Sequence, residues 1–317
     1  MRPLYVRLPS HLGDLILALP ALDALQAAGY ALWLEGPITP PWLLERLPGA
    51  RLWPADRRPQ GLPALRLKPS VSAAWRARGC DPRVGYAEDL RGPLLSAAPP
   101  PVGEHRVNAY LRLAAVLGAA PQGRLPRLPT RATAPPPTDE TSVSSADLLI
   151  LVGSATGRTV DWPGARALAD ALGRLGRRAV FVPPLGAEAK TAALAGPHPL
   201  ALGAGGRAPS VPEVAALGVA GGAVHGQDSG RSHVVAAARR AAGRPVGRLI
   251  GLLGATDAAR TAPPGGTWLR GGPLPCAPCL RRRCAVAATG TPPCLDISHH
   301  TLLPTIVRAL DAAGAAG

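Results

Sequence analysis

A proline-rich stretch without hydrophobic periodicity divides this chain into two series of alternating strand and helix patterns. The stretch is densest at 133–140, within a break that runs from 121 to 145, and its composition is typical of linkers. Strands that alternate with helices form parallel sheets covered by helices on both faces. We therefore predict two Rossmann-like, doubly wound α/β domains at 1–130 and 146–317, a linker at 131–145, and a cleft between the domains.

Apolar runs place the elements of each series. In the first series the run from Leu4 to Leu8 predicts a strand, and the leucines after Asp14 recur near helical spacing. Further strands are predicted at 30–35, 50–53 and 62–67, with helices at 41–47 and 105–117. The second series predicts strands at 147–152, 179–182, 223–225 and 246–250, with helices at 164–175, 212–219 and 230–241. A closing helix is expected to pack in the second domain or back on the first.

The charge of the chain favours anionic partners. Its formal net charge is +15, almost entirely from arginine, and such an excess attracts phosphates, acidic lipid surfaces or nucleic acid. Aromatic residues make up only 3% of the chain, too few for the stacking platforms of nucleic-acid binders, so nucleic acid is not an expected partner. No apolar run reaches the roughly 20 residues of a membrane span, and the first residues predict a strand rather than a signal peptide. We expect a cytoplasmic protein.

Cysteine usage leaves one alternative open. Of the five cysteines, Cys276, Cys279, Cys284 and Cys294 lie in one short segment. A Cys-x-x-Cys pair followed by two more thiols can hold zinc. The later spacings are irregular for a zinc ribbon, and in a reducing cytosol disulfides are disfavoured. We favour reduced thiols in a loop and predict no metal.

The segment that joins the first strand to the first helix carries a candidate catalytic carboxylate. It contains Ser10, Gly13 and Asp14. Ligands of doubly wound sheets bind at the carboxyl ends of the strands, which places Asp14 where chemistry is expected. A carboxylate at a helix start also serves as an ordinary cap or macrodipole partner, so this motif alone decides nothing.

A second candidate segment follows the strand at 223–225 and opens the next helix. Its residues Asp228, Ser229, Gly230 and His233 combine a hydroxyl with a helix start whose backbone N–H groups can cradle a diphosphate. Asp228 is suited to sugar hydroxyls or to N–H groups of its own loop, and His233 is either a ligand contact or structural. A third loop, with Thr256 and Asp257, follows the strand at 246–250.

The order of these motifs resembles that of glycosyltransferase family 9, the heptosyltransferases. The pattern runs Ser-x-Leu-Gly-Asp, Asp-Ser-Gly-x-x-His, Gly-Arg-Pro-Val and Gly-x-Thr-Asp. Arg83-Val84-Gly85-Tyr86 and Trp162-Pro163 fit the same family, as does the cysteine segment. The resemblance extends over nearly the whole chain.

The resemblance implies a GT-B architecture, in which the first domain binds the acceptor and the second the nucleotide sugar. The implied reaction transfers heptose from ADP-heptose to a lipopolysaccharide core or other envelope glycan, with inversion and without a cofactor. By its position in the family pattern, Asp14 is the expected general base. Glu188 is the expected contact to a ribose hydroxyl, and Thr256 and Asp257 are expected on the nucleotide side of the cleft. No Asp-x-Asp pair stands where a metal-dependent transferase holds its cation. A glycolipid acceptor implies peripheral contact with the inner membrane.

One position departs from the family pattern. The lysine that usually stands two residues before the Trp-Pro pair is Val160 here. Ser154, Thr156 and Arg158 are candidate substitutes for its phosphate contact, although a planar guanidinium does not replace an ammonium without change. The alternative is a nucleotide-sugar-binding protein whose catalytic activity has lapsed. A nicotinamide enzyme is disfavoured, because no Gly-x-Gly-x-x-Gly follows the first strand.

Overall fold

The chain forms two compact units, Met1–Pro126 and Arg127–Gly317. The computed structural model describes residues 1–68, 70–87, 92–100, 102–120, 125–130, 143–153, 162–281, 284–287 and 290–315. Each unit contains one five-stranded sheet with helices packed around it. The predicted α/β class is confirmed, while most of the predicted linker lies outside the described residues. The backbone N–H of Leu128, just before the predicted linker, donates to the carbonyl of Ala237 at 3.1 Å, and Leu128 belongs to the second unit.

The first unit is built on a parallel sheet. Its elements are β1 (Arg2–Arg7), α1 (Leu12–Ala27), β2 (Tyr30–Glu35), α2 (Pro41–Arg46), β3 (Arg51–Leu52), β4 (Ala64–Arg66), α3 (Val71–Arg76), β5 (Arg83–Val84) and α4 (Arg106–Val116). The strand order is β3-β2-β1-β4-β5, with every pair parallel. The direction of chain progression reverses between β1 and β4. Ligands of such sheets bind beside this switch point, next to the loop that follows β1.

Helix α1 is the central helix of the first unit. Every residue from Leu15 to Leu22 is buried, as expected for a helix that is apolar on all faces and packed on more than one side. It packs against α4 and against β2. Its first turn emerges from this core and carries Gly13 and Asp14, both partly exposed. A rigid, buried helix thus fixes the position of the candidate catalytic carboxylate.

The second unit repeats the parallel arrangement with a different strand order. Its elements are β6 (Leu148–Leu151), α5 (Ala165–Arg174), β7 (Ala179–Val182), α6 (Glu188–Ala195), α7 (Val211–Ala220), β8 (Ala223–Gln227), α8 (Gly230–Ala241), β9 (Leu249–Leu252), α9 (Ala258–Thr261), β10 (Thr267–Leu269) and α10 (His299–Gly314). The order β10-β9-β8-β6-β7 places the switch point between β6 and β8. The loop that follows β8 is therefore at the expected ligand position.

One face of the second sheet is covered by α5 and α10. Leu302, Ile306 and Leu310 of α10 are fully buried in the core that contains Trp162, and α10 packs against α5 and β8. The indole N–H of Trp162 donates to the carbonyl of Ile297 at 3.0 Å. The closing helix therefore has its packing partners within its own unit.

Two kinds of difference separate the predicted elements from the observed ones. The strand predicted at 246–250 begins only at Leu249, because 246–248 forms a 3₁₀ turn directly after Pro245. Short elements without a long apolar run were not predicted at all: α3, β5, α6, α9 and β10. Within the described ranges, no helix combines the length and the apolar character needed to cross a bilayer.

Candidate functional site

The loop between β1 and α1 brings the first group of predicted residues together. Ser10 and Gly13 lie within four residues of Asp14, at the carboxyl end of the central strand β1. The hydroxyl of Ser10 is buried and has no hydrogen-bond partner among the residues that the structure describes. A buried hydroxyl that makes no bond is costly, which makes Ser10 a candidate for contact with a bound molecule.

Asp14 has an environment that raises its proton affinity. Burial raises the pKa of its carboxyl above the ordinary value, while the charges of Arg106 and His11 pull it down. The nearest approach of Arg106 is 3.8 Å, from Nε to Oδ1, and 30% of the Asp14 side chain remains exposed. Tyr110 is buried on α4, and burial together with the Asp14 charge raises its pKa. A partly accessible carboxylate of raised pKa is suited to proton abstraction.

The loop between β8 and α8 brings the second group together. The Ser232 hydroxyl donates to the carbonyl of Gln227 at 2.7 Å and lies 3.4 Å from the Ser229 hydroxyl. A Cβ on Gly226, near the end of β8, would stand 2.9 Å from the Ser232 oxygen, so the close approach of Ser232 to the strand requires glycine. Gly230 opens α8, where the first N–H groups have no partner within the helix and suit an anion. His233 is 5% exposed and faces the interior.

Asp228 is tied to the neighbouring loop. It accepts a hydrogen bond from the hydroxyl of Thr256, and the guanidinium of Arg270, directly after β10, donates to the Thr256 carbonyl. These contacts link the ends of β8, β9 and β10. The Asp257 carboxylate instead accepts the backbone N–H of Ala259 at 3.0 Å and caps α9. The structure therefore brings Asp228 and Thr256 together, whereas Asp257 serves its own helix.

Glu188 begins α6, on the loop that follows β7. Its carboxylate accepts the backbone N–H groups of Ala208, at 2.9 Å, and of Gly186, at 3.3 Å. Its own backbone N–H and that of Ala208 hold the pKa of Glu188 below the ordinary value. This carboxylate fixes the loop between α6 and α7, and its predicted contact with a ribose stays a prediction.

Two arginines of the sites were not predicted. Arg106 faces Asp14, and Arg231, in the first turn of α8, donates to the carbonyl of Val182 at 2.9 Å and to that of Val152. A cation at a helix N-terminus is unfavourable because it opposes the macrodipole. An arginine at the start of each of these two predicted helices was therefore the sequence feature that could have marked both residues as functional. The predicted residues Ser154, Thr156 and Arg158, with Val160, lie outside the described residues.

The clustered cysteines line one cavity. Cys276, Cys279, Cys284 and Cys294 all contribute to it, and the backbone N–H of Ala287 donates to the sulfur of Cys284 at 3.3 Å. All four are free thiols. Across the described part of the chain, no group of three or more His, Cys, Asp or Glu side chains is placed to hold a metal ion. The prediction of a metal-free loop stays a prediction.

Comparison with known proteins extends these observations to the whole chain. No family model matches it, and no curated protein does. Among solved structures, a glycosyl transferase of family 9 from Veillonella parvula superposes with a TM-score of 0.73 at 18% identity, covering 98% of both chains. The ADP-heptose lipopolysaccharide heptosyltransferase II of E. coli gives 0.67 at 20% identity, covering 98% of this chain and 99% of that one.

A third structure carries a nucleotide. The E. coli heptosyltransferase WaaC with ADP gives a TM-score of 0.67 at 19% identity, covering 98% of this chain and 100% of the other. The similarity extends over both units of the chain. The resemblance predicted from the motifs is confirmed at the level of the fold: this chain has the α/β fold of the family 9 heptosyltransferase structures.

Proposed function

We propose that this protein is an inverting, metal-independent glycosyltransferase that moves a sugar, heptose in the first instance, from an ADP-sugar to a cell-envelope glycan. The observation that carries the proposal is the match of 98% of the chain to a heptosyltransferase whose structure contains ADP. The two candidate sites described above support it. Each lies at the carboxyl edge of a parallel sheet beside a switch point, where this class of fold binds ligands.

Asp14 is the proposed general base. Its carboxylate takes the proton from an acceptor hydroxyl as that oxygen bonds to the anomeric carbon. The bond between that carbon and the diphosphate breaks on the opposite side, so the configuration inverts and ADP leaves with the electron pair. Proton transfer of this kind contributes about 10²–10⁴-fold to a rate. The raised pKa of Asp14 brings its proton affinity closer to that of the reacting hydroxyl.

The loop between β8 and α8 is the proposed diphosphate site. The backbone N–H groups at Gly230 and the hydroxyl of Ser229 meet the negative charge of the leaving group, so fixed dipoles stabilise it. Asp228, oriented by Thr256, is assigned to sugar hydroxyls, and Glu188 to the ribose. We assign no cofactor.

The acceptor is proposed to be a glycan or glycolipid met at the cytoplasmic face of the inner membrane. The formal net charge of +15 favours approach to an anionic surface. Nucleic acid is not a proposed partner.

A panel of nucleotides and nucleotide sugars tests the proposal. Thermal unfolding is followed with ADP, UDP, GDP, ADP-glucose and ADP-heptose, and ADP release is then measured with an envelope acceptor in the presence of EDTA. We expect stabilisation by ADP and ADP-heptose, turnover that EDTA leaves intact, and a product of inverted configuration by NMR. Absence of stabilisation by any nucleotide contradicts the proposal.

The same panel separates the alternative of a lapsed enzyme. Val160 stands where the family has a lysine, and this observation favours a protein that binds the donor without using it. Stabilisation by ADP-heptose with no ADP release on any acceptor supports that alternative. Val160→Lys then tests the cause, because recovered turnover would show that the missing lysine had abolished the activity.

A further inference from the structure

Arg106 is the first residue of α4, and its guanidinium faces the carboxylate of Asp14 from the neighbouring helix. Nε lies 3.8 Å from Oδ1, and α1 and α4 pack along their length. We propose that Arg106 is a positioning residue, which keeps the Asp14 carboxylate ionised while leaving its oxygens available to an acceptor hydroxyl. The inference rests on the proposed function for the role of Asp14 as a base, but not for the electrostatic relation itself.

The charged and titratable groups around Asp14 give Arg106 this role. His11 lies on the same loop, and Tyr110 faces Asp14 from α4. Tyr86 donates its hydroxyl to the carbonyl of Ala109 and faces Tyr110. Burial raises the pKa of Tyr110, which therefore stays neutral. The charge of an arginine persists at every pH at which the enzyme can work.

The distance between the two groups matters as much as their charges. At 3.8 Å the nitrogen and oxygen are beyond ordinary hydrogen-bond length, so the interaction is that of charge with charge. Glu35 shows the contrast: it accepts hydrogen bonds from Tyr5, Arg7 and Arg76, and its pKa is lowered. A carboxylate held in that way is a weak base with occupied lone pairs. Asp14 keeps its lone pairs and its basicity.

The position of Arg106 supports a functional origin. A cation in the first turn of a helix is disfavoured by the macrodipole, and 42% of its side chain is exposed, so neither helix stability nor core packing requires arginine there. On the same helix Arg112 pairs with Glu104 at 2.8 Å. That second pair is a direct ion pair without contact to Asp14, and it supplies a matched control.

The test compares Arg106→Gln, Arg106→Lys and the control Arg112→Gln in the full chain. The titration of Asp14 is followed by NMR of protein carrying carbon-13 in its aspartate carboxyl groups, with Asp14→Asn identifying the signal. The pH dependence of kcat/KM is measured in parallel. We expect Arg106→Gln to move the Asp14 midpoint, and with it the acid limb of kcat/KM, to higher pH. The loss is about tenfold on that limb, since one pKa unit changes the ionised fraction tenfold.

The remaining variants make the result specific. At alkaline pH Arg106→Gln recovers to within about twofold of wild type, because the carboxylate is then ionised without help. Arg106→Lys retains most of the wild-type acid limb, and Arg112→Gln leaves both curves unchanged. An Asp14 midpoint that stays in place in Arg106→Gln overturns the proposal. So does an equal loss of kcat/KM at every pH, which marks a substrate contact or a structural role.

Failure of this inference is distinguishable from failure of the proposed function, because the titration needs no substrate. A wild-type chain without turnover whose Asp14 midpoint still moves in Arg106→Gln refutes the transferase and supports the electrostatic relation. If the wild-type chain is an active transferase but its Asp14 titration midpoint does not change in Arg106→Gln, the proposed function is supported and the role of Arg106 is refuted.

Discussion

The hydroxyl of Thr256 donates a hydrogen bond to the carboxylate of Asp228. The two residues follow different strands, β9 and β8, and the guanidinium of Arg270 binds the carbonyl of Thr256 from the end of β10. Three loops at one sheet edge are therefore connected through Thr256. A site whose loops are fixed before the ligand arrives loses less conformational entropy on binding.

Thr256→Val tests this connection. Removing a hydrogen bond to a charged group costs about 1.5–3 kcal/mol, so we expect ADP-sugar affinity to fall roughly tenfold or more by calorimetry. Thr267→Val is the matched control, since its hydroxyl donates a long, exposed hydrogen bond of 3.4 Å to the neutral Gly247 carbonyl. Unchanged affinity in Thr256→Val would show that the Asp228 loop takes no part in donor binding.

Asp14→Asn is expected to change activity and stability in opposite directions. Turnover falls by about 10²–10⁴-fold because the base is lost. The folded-state pKa of Asp14 is raised, so its contribution to stability is complete below the unfolded pKa and is lost as pH rises through the folded pKa. At pH 7 the variant is therefore more stable than wild type, and the gain shrinks as pH falls toward 4.

Thermal unfolding of both proteins between pH 4 and pH 8 checks the stability of Asp14→Asn, and ADP release checks its activity. Calorimetric ADP affinity serves as the internal control, because Asp14 lies in the first unit and the proposed diphosphate site in the second. A variant with full turnover excludes Asp14 as the base. If Asp14→Asn is less stable than wild type at pH 7, burial of the Asp14 carboxylate does not destabilise the folded protein.

Asp147 gives the opposite pH dependence. Burial alone would raise the pKa of Asp147, but hydrogen bonds from Arg178 and Ser144 outweigh it and lower the pKa. The stability that Asp147 contributes is present above the unfolded pKa and is lost as pH falls through the folded one. We expect Asp147→Asn to destabilise the chain by about 1–3 kcal/mol at pH 7, by urea unfolding.

The pH dependence supplies the check on the Asp147 prediction. The difference between Asp147→Asn and wild type should diminish below pH 4, as the wild-type carboxyl takes up its proton. Asp311→Asn is the control, since its partner Arg177 and its own side chain are both at the surface. Exposed ion pairs contribute about 0–1 kcal/mol. An equal loss in the two variants contradicts the importance assigned to burial.

The parts of the site that could be predicted are those whose interacting residues are close together in the sequence. The loops at Asp14 and Asp228 were predicted because strand, turn and helix start are contiguous in sequence. Arg106 was not predicted, because its unfavourable position at a helix N-terminus does not name a partner, and its approach to Asp14 depends on the packing of α1 against α4. Glu188 was predicted as a ligand contact, because no local pattern indicates that its carboxylate accepts the backbone N–H of Ala208, 20 residues away.

The fold shows the same division. The apolar strands β1, β6 and β8 were predicted, because a continuous buried run is a strong signal. The strand β10 was missed since its three residues are only partly buried, and α6 was missed because it buries only Thr191 and Ala195. Neither element has enough apolar residues to form a pattern, so both depend on tertiary contacts for their stability.

Two glycines in helices test the packing that supports the α8 loop. A Cβ on Gly218 of α7 would lie 2.6 Å from Val235 Cγ2 of α8, whereas one on Gly173 of α5 meets no atom within 4 Å. Gly173→Ala should stabilise the chain by about 0.5–1 kcal/mol, because alanine restricts the unfolded chain at no steric cost. Gly218→Ala should destabilise it by about 1–3 kcal/mol, the usual cost of overpacking, as measured by urea unfolding.

Since α7 and α8 are in direct contact, Gly218→Ala should also weaken ADP binding, whereas Gly173→Ala should not. The same sign of stability change in both variants would mean that the α7–α8 interface is loose enough to absorb a methyl group, and then the position of the α8 N-terminus is not fixed by that interface.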